Sequence, residues 1–479
     1  MNKKIADPRM YIMETKKFDI AVIGAGPGGY VAAIKASQLG KKVVLIEKEY
    51  MGGTCLNVGC IPTKTLIANA HIMQSIKHAA DFGITTGPVS FDYSKMKQRK
   101  DSVVEKMRKS LEGLVKSNGI TIMQGHAEFV SPTELKVRGE ENAMICFDKV
   151  IIASGSAPLD IPAFPCDHQK VLNSSSILQL TTLPKTLAIV GGGYIGCEFA
   201  SLYAELGVNV IILEALPMIL APQGKTISDV MTRAFIKKGI DVQTGVFVEG
   251  IDHVAEGVSI RLKGKDPIVC DIALIAVGRK IISEGMALEK TGLKIGDRGV
   301  INVNDKMETS VPGIYAIGDV TGKYMLAHVA SHQGIVAAAN ACGKSASMHY
   351  EAVPAVIFTS PEVAMVGMTS EQALEAGMTV AIGKFPFQAL GKSVATGETE
   401  GFAQIITNKQ TGQILGAQVI GHDAASLIAE IALAIANELT VDCIADTIHA
   451  HPTLPEAWLE AALLATDTPI HLPPKVKKV

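Results

Sequence analysis

Short apolar runs closed by glycine, each followed by a helical stretch, give the chain its most regular pattern. Phe18-Asp19-Ile20-Ala21-Val22-Ile23 reads as a strand and runs into Gly24-Ala25-Gly26-Pro27-Gly28-Gly29. A helical stretch from Tyr30 to Leu39 stops at Gly40, and a second strand, Val43–Ile46, ends at Glu47. The same order recurs later. The strand Leu187–Val190 meets Gly191-Gly192-Gly193-Tyr194-Ile195-Gly196, a helix through Leu206 stops at Gly207, and the strand Val210–Leu213 ends at Glu214. In both copies the acid stands 23 positions after the first glycine, 24 to 47 and 191 to 214. One glycine-rich turn is a weak signal; two, each in strand–turn–helix–strand context with the acid in place, are strong. The glycines allow the tight turn and let backbone N–H groups reach a pyrophosphate at the helix N-terminus. Glu47 and Glu214 are expected to accept from ribose hydroxyls. The pattern therefore predicts an α/β fold with two Rossmann-like dinucleotide-binding domains, at Gly24, Gly26, Gly29 and Glu47 and at Gly191, Gly193, Gly196 and Glu214.

Two further segments add detail. Thr309–Asp319 reads as a short strand ending in Gly318-Asp319, either a place for a carboxylate to meet a polyol chain or a plain strand-end turn. The stretch Leu427–Leu439 is apolar around much of its circumference, as expected of a helix buried in core or interface. At the second dinucleotide site a 2′-phosphate would need Arg or Lys near the ribose. Glu214–Gly224 offers a carboxylate and no cation before Lys225, which favours NAD over NADP.

Composition narrows the class without changing it. At 479 residues, 48% hydrophobic and 19% charged, the chain is of ordinary globular make-up and long enough for about three domains. A net charge of −2 argues for no nucleic-acid or anionic-membrane partner. The basic tail Lys475, Lys477 and Lys478 reads as a solvated terminus. Neither a signal peptide nor a run of 18 apolar residues is evident, so a cytoplasmic location is expected. Cys146, Cys166, Cys197, Cys270, Cys342 and Cys443 are scattered singly and read as small buried hydrophobes. No Cys/His spacing suits a metal.

The remaining cysteines, Cys55 and Cys60, lie in Gly52-Gly53-Thr54-Cys55-Leu56-Asn57-Val58-Gly59-Cys60-Ile61-Pro62. On an ideal helix positions i and i+5 are roughly 8–9 Å apart, beyond the about 7 Å a disulfide tolerates. A bridge here needs distorted or partly helical backbone, which Gly59 makes easier. A thiol pair eight residues beyond Glu47 points to electron exchange with whatever the first unit binds, favouring FAD there and a pyridine nucleotide in the second. Disulfide exchange runs through thiolates, so a base must accept protons at neutral pH. Histidine suits that, with a carboxylate on its other nitrogen. His451 and Glu456 offer the pair, although Thr453-x-x-Glu456 is also a capping box with Pro455 in the first turn.

With these residues assembled, the chain from about Phe18 to His471 resembles the two-cysteine pyridine nucleotide–disulfide oxidoreductases. Within them it is most similar to the branch that oxidises dihydrolipoamide as the flavoprotein (E3) component of 2-oxoacid dehydrogenase complexes. The most specific motifs are Gly52–Lys64 and His449-Ala450-His451-Pro452-Thr453-Leu454-Pro455-Glu456. The resemblance implies that Cys55 is the interchange thiol and Cys60 the thiol facing the flavin. It implies Lys64 near flavin N5 with Glu198 as its ion-pair partner, Asp319 on the ribitol, and His451 oriented by Glu456 as acid–base. Gly155, Ala327 and Gly278 complete the implied cofactor contacts, and His449 is read as structural. A homodimer with a shared active site, and lipoyl domains and E2 cores as partners, are further implications. The implied division is an extension without a match over 1–16, expected to be disordered, an FAD-binding domain over 17–150, an NAD-binding domain over 151–280, a central domain returning to FAD over 281–350, and an α+β dimerisation domain over 351–479. Departures from the family pattern are Thr63 in place of Ser, Lys280–Ser283 in place of a Pro-Asn pair, and Val329 and Gln333 in place of Lys and Glu. Relatives reducing glutathione would want a cationic NADP pocket, and those reducing mercuric ion or thioredoxin a C-terminal redox centre; neither is evident.

Overall fold

The computed structural model describes residues 14–140 and 142–473. The basic tail and residues 1–13 of the expected extension lie outside them. Glu14–Lys16 do not behave as an extension: they open the strand Glu14–Ile23, pairing with Ala143–Ile145. Their side chains are too polar for the apolar pattern to register, but their backbone continues the ladder.

Contacts gather the chain into two compact units. The first comprises residues up to Pro62, Asp101–Ala157 and Arg279–Met348; the second comprises Thr63–Lys100, Pro158–Gly278 and His349 onward.

In the first unit Glu14–Ile23 lies between Val43–Glu47 and Ala143–Ile152, parallel to both. Thr121–Ser131 extends the sheet beyond Val43–Glu47, and Ile314–Ala316 extends it beyond Ala143–Ile152, again in parallel. Glu134–Gly139 joins Thr121–Ser131 to Ala143–Ile152 as an antiparallel meander. Strands covered on both faces need near-continuous apolar sequence, and Val43–Glu47 is buried at all five positions. The helices Pro27–Gln38 and Ala327–Ala341 cross closely over this sheet. A Cβ at Gly334 would press on the Gly28 carbonyl oxygen at 2.5 Å, so backbone meets backbone there.

In the second unit a parallel sheet runs in the order Asp241–Thr244, Asn209–Glu214, Thr186–Val190, Ile272–Ile275, Val171–Asn173. The three-stranded antiparallel sheet Val248–Cys270 is inserted in the chain between two of its strands, Asp241–Thr244 and Ile272–Ile275. Leu66, Ile67, Ala70 and Tyr93 pack into the same apolar cluster as Phe199, Tyr203 and Ile177, which is why 63–100 sides with this unit. A five-stranded antiparallel sheet spans Ala355–Gly421, and the helices Ala424–Ala436 and Glu456–Ala465 pack on it around fully buried Trp458. The apolar helix expected near Leu427 buries Leu427, Ile428 and Ile431, whereas Leu433 is 66% exposed. Among the described residues no helix is long and apolar enough to cross a membrane, and no group of His, Cys, Asp and Glu could hold a metal.

Candidate active site

The two glycine turns are built alike. Gly24 and Gly191 have φ of +96° and +110°, where a side chain is strained. A Cβ on either would also strike a neighbouring carbonyl, that of Ala153 or Ala276. A Cβ at Gly29 or Gly196 would drive into the carbonyl of Gly24 or Gly191. The middle glycines differ: a Cβ at Gly26 or Gly193 would meet nothing within 4 Å. No protein contact demands glycine there, so the clearance fits a ligand approaching the backbone. Each middle glycine is the N-cap of a 12-residue helix without a side-chain cap, leaving N–H groups for an anion. The acids close the turns. Glu47 accepts from Ala25 N–H at 2.7 Å and Glu49 N–H at 2.8 Å. Glu214 accepts from Gly192 N–H at 2.5 Å and Leu216 N–H at 2.7 Å. These residues fit two dinucleotides.

The cysteine segment is seated directly on the first turn. Gly52 N–H donates to the Ala25 carbonyl at 2.9 Å, and a Cβ at Gly53 would lie 2.8 Å from Gly26 Cα. The helix Gly53–Val58 breaks at Gly59 and resumes as Cys60–Lys77. This is the irregular backbone the spacing demands. The break brings the two Cα atoms to 4.6 Å, and Cys55 and Cys60 are joined as a disulfide. A Cβ at position 59 would crowd the Thr54 carbonyl oxygen at 2.9 Å. Asn57 ties the first helix down by donating to the Met51 and Gly53 carbonyls at 3.0 and 2.9 Å. Its Oδ1 is buried with no partner.

One turn beyond Cys60, Lys64 Nζ reaches both carboxylate oxygens of buried Glu198, at 2.9 and 2.8 Å. Phe358 N–H donates to the same carboxylate at 2.9 Å, and its ring lies 4.3 Å from the ammonium. In the first unit Asp319 accepts from the Ser156 hydroxyl, which itself accepts from Arg279 Nε at 2.6 Å. Gly318 N–H donates to the Oε1 of fully buried Gln333 at 2.7 Å, tying the Gly-Asp turn to the helix Ala327–Ala341.

His451 Nδ1 lies 2.8 Å from Glu456 Oε1, while Glu456 Oε2 accepts from Thr453 N–H at 2.8 Å. One carboxylate thus orients the imidazole and receives a backbone N–H ahead of its helix. The capping box itself does not form: the helix begins at Glu456 with Pro455 as its N-cap, and the Thr453 hydroxyl turns to the Ala450 carbonyl. Partial burial opposes ionisation of Glu456, but the Thr453 N–H and His451 outweigh it and hold the carboxyl below the usual carboxylate range. The His451 side chain is 76% exposed. The His449 side chain is 5% exposed and bonded to Glu430 and the Thr447 carbonyl, both at 2.9 Å.

Gly155, with φ +72° and open space before it, bonds through its carbonyl to Ile282 N–H at 3.0 Å. The Gly278 carbonyl accepts from Leu159 N–H at 3.1 Å, and Ala327 is the first residue of its helix. Sequence reasoning missed the roles of Asn57, Ser156, Arg279 and Gln333. Asn57 bonds within its own motif, where the sequence does not single it out, whereas the partners of Ser156, Arg279 and Gln333 lie farther along the chain. The departures are accommodated: Val329 and Thr63 are buried, and Lys280 meets Glu284 at 3.1 Å on the surface. The single cysteines do not all follow expectation. Cys197 and Cys270 are buried, whereas Cys443 is exposed.

The pyridine nucleotide-disulphide oxidoreductase family model matches residues 18–334, and the dimerisation domain of the same family matches 353–462. The chain belongs to this family of enzymes, with FAD and NAD as cofactors. It is 49% identical to dihydrolipoyl dehydrogenase of Chlamydia pneumoniae over 462 residues, covering 96% of this chain and 100% of that one. Against dihydrolipoyl dehydrogenase of Bacillus subtilis it is 43% identical, covering 95% of this chain and 97% of that one. Among solved structures it resembles LpdA from Mycobacterium tuberculosis, with a TM-score of 0.88 and 26% identity over 93% of this chain and 99% of that one.

Proposed function

We propose that the chain is a dihydrolipoyl dehydrogenase, oxidising protein-bound dihydrolipoamide to lipoamide and passing the electrons to NAD⁺. The observation that carries this reading is the Cys55–Cys60 disulfide seated on the first dinucleotide turn. His451, oriented by Glu456, takes a proton from one substrate thiol. The resulting thiolate attacks Cys55 Sγ and breaks the Cys55–Cys60 bond, leaving Cys60 as thiolate. The second substrate sulfur then displaces Cys55 and closes the lipoamide disulfide, while His451 passes its proton to the departing Cys55 sulfur and takes up the proton of the second thiol, leaving Cys55 as a thiol. Bound FAD supplies the two-electron carrier between the thiols and the nicotinamide. Gly24, Gly26, Gly29, Glu47, Gly155, Asp319 and Ala327 would hold it, with Lys64 and Glu198 beside it. Gly191, Gly193, Gly196, Glu214 and Gly278 would hold NAD. His451 acts on the partner subunit's disulfide in a homodimer, and lipoyl domains of 2-oxoacid dehydrogenase complexes deliver the substrate in the cytoplasm. The dihydrolipoyl dehydrogenase relatives and the dimerisation domain support these last steps.

Rapid mixing of the oxidised holoenzyme with dihydrolipoamide tests the reading. A long-wavelength thiolate–flavin band should appear within turnover time, and Cys60→Ser should keep its yellow flavin but lose the band. Absence of the band in the unaltered protein would overturn the proposal.

A further inference from the structure

Asp319 does not stand alone in the first unit. The short strands Ser156–Pro158 and Arg279–Ile281 pair as a two-stranded ribbon, which sets Ser156 beside Arg279. Arg279 Nε donates to the Ser156 hydroxyl at 2.6 Å, and Nη2 donates to the Ser156 carbonyl at 2.8 Å. The Ser156 hydroxyl donates in turn to Asp319 Oδ2. Arg279 Nε itself lies 3.7 Å from that oxygen, too far for a direct hydrogen bond. Ser156 is 5% exposed and the Arg279 side chain 10%, so solvent has little access to this chain of bonds.

The polarity of the chain is forced. Guanidinium has donors and no acceptor, so the hydroxyl must receive from Arg279 and spend its single proton on Asp319. Asp319 Oδ2 is thereby committed, while Oδ1 is left to accept from another donor. Charge-assisted bonds of this kind are short and directional.

We infer that Arg279 is a positioning residue for the flavin site, acting through Ser156 to aim the free oxygen of Asp319 at a hydroxyl of the ribityl chain. The inference rests on the first unit being the FAD site. Arg279 neither touches the disulfide nor supplies a proton; it fixes the angle at which the carboxylate meets the polyol.

The test is FAD binding by the full-length apoprotein, followed by flavin fluorescence, for Ser156→Ala, Arg279→Met and the double variant. Each single change should raise the FAD dissociation constant about tenfold, the effect of losing one charge-assisted hydrogen bond. The double variant should match the weaker single within about threefold, because both changes cut one relay. Arg279→Lys, which keeps the charge but cannot serve both Ser156 atoms, should fall between unaltered protein and Arg279→Met, and it replaces that variant if the latter does not fold. Apoprotein melting temperatures report folding separately. Unchanged FAD affinity in Ser156→Ala would overturn the relay, as would losses that multiply in the double variant. Failure of the unaltered apoprotein to take up FAD would instead sink the FAD reading of the first unit.

Discussion

At the scale of single residues, Glu456 shows how one carboxylate is shared between structure and chemistry. One oxygen holds the Thr453 N–H and the other orients His451. Its pKa lies below the usual range despite partial burial, because the N–H and the imidazole favour the charged form. A depressed carboxyl pKa stabilises the fold above its unfolded value, and the contribution is lost as pH falls through the folded value. Glu456→Gln should therefore melt at lower temperature than the unaltered protein at neutral pH. The gap should narrow as pH drops below the usual carboxylate range, and a gap that stays constant would contradict this account. Turnover of the same variant should fall about 10²-fold through loss of the oriented base, read from steady-state rates. Local residues of this kind were legible in sequence. Cys55 and Cys60, or His451 and Glu456, lie within one motif, and their spacing already restricts the geometry.

Elements connect what spacing cannot. Lys64 and Glu198 lie 134 residues apart and meet because the helices Cys60–Lys77 and Tyr194–Glu205 share one apolar cluster. Only family resemblance paired them beforehand, since nothing local in either segment marks the other. The same holds for Gln333 and Gly318, and for Arg279 and Ser156, where the partner is chosen by tertiary packing. Glu198 accepts three bonds in a buried setting. Replacing it by Ala removes the charge partner of Lys64 and orphans the Phe358 N–H. Truncating one side of a buried ion pair costs about 3–5 kcal/mol. Because the Lys64 side chain is 31% exposed, about 2–3 kcal/mol is the better expectation here. Urea unfolding of the apoprotein gives the value; a loss below about 0.5 kcal/mol would mean the pair contributes little beyond placement.

For the whole molecule, the repeat predicted the two nucleotide-binding turns, because the glycines and their distant acids recur at equal spacing. It did not predict that residues 63–100 pack with the second unit, since chain order carries no record of which cluster a helix joins. The shared-site proposal makes a claim at this scale. Cys55→Ser and His451→Gln chains, each inactive as a homodimer, should recover about a quarter of normal activity when coexpressed at equal levels. Half of the dimers are mixed, and each mixed dimer has one intact site of two. Recovery to about a quarter in the coexpressed mixture, and to about half in purified mixed dimers, requires His451 to act across the two-fold axis; none at all would place it in its own chain.

The bonds from Glu47 to Ala25 and Glu49, and from Glu214 to Gly192 and Leu216, join protein groups to protein groups. Each glycine turn is thus braced by its own acid through bonds that use no ligand atom. Association then sacrifices little loop entropy, and affinity is set by contacts made instead of freedom lost.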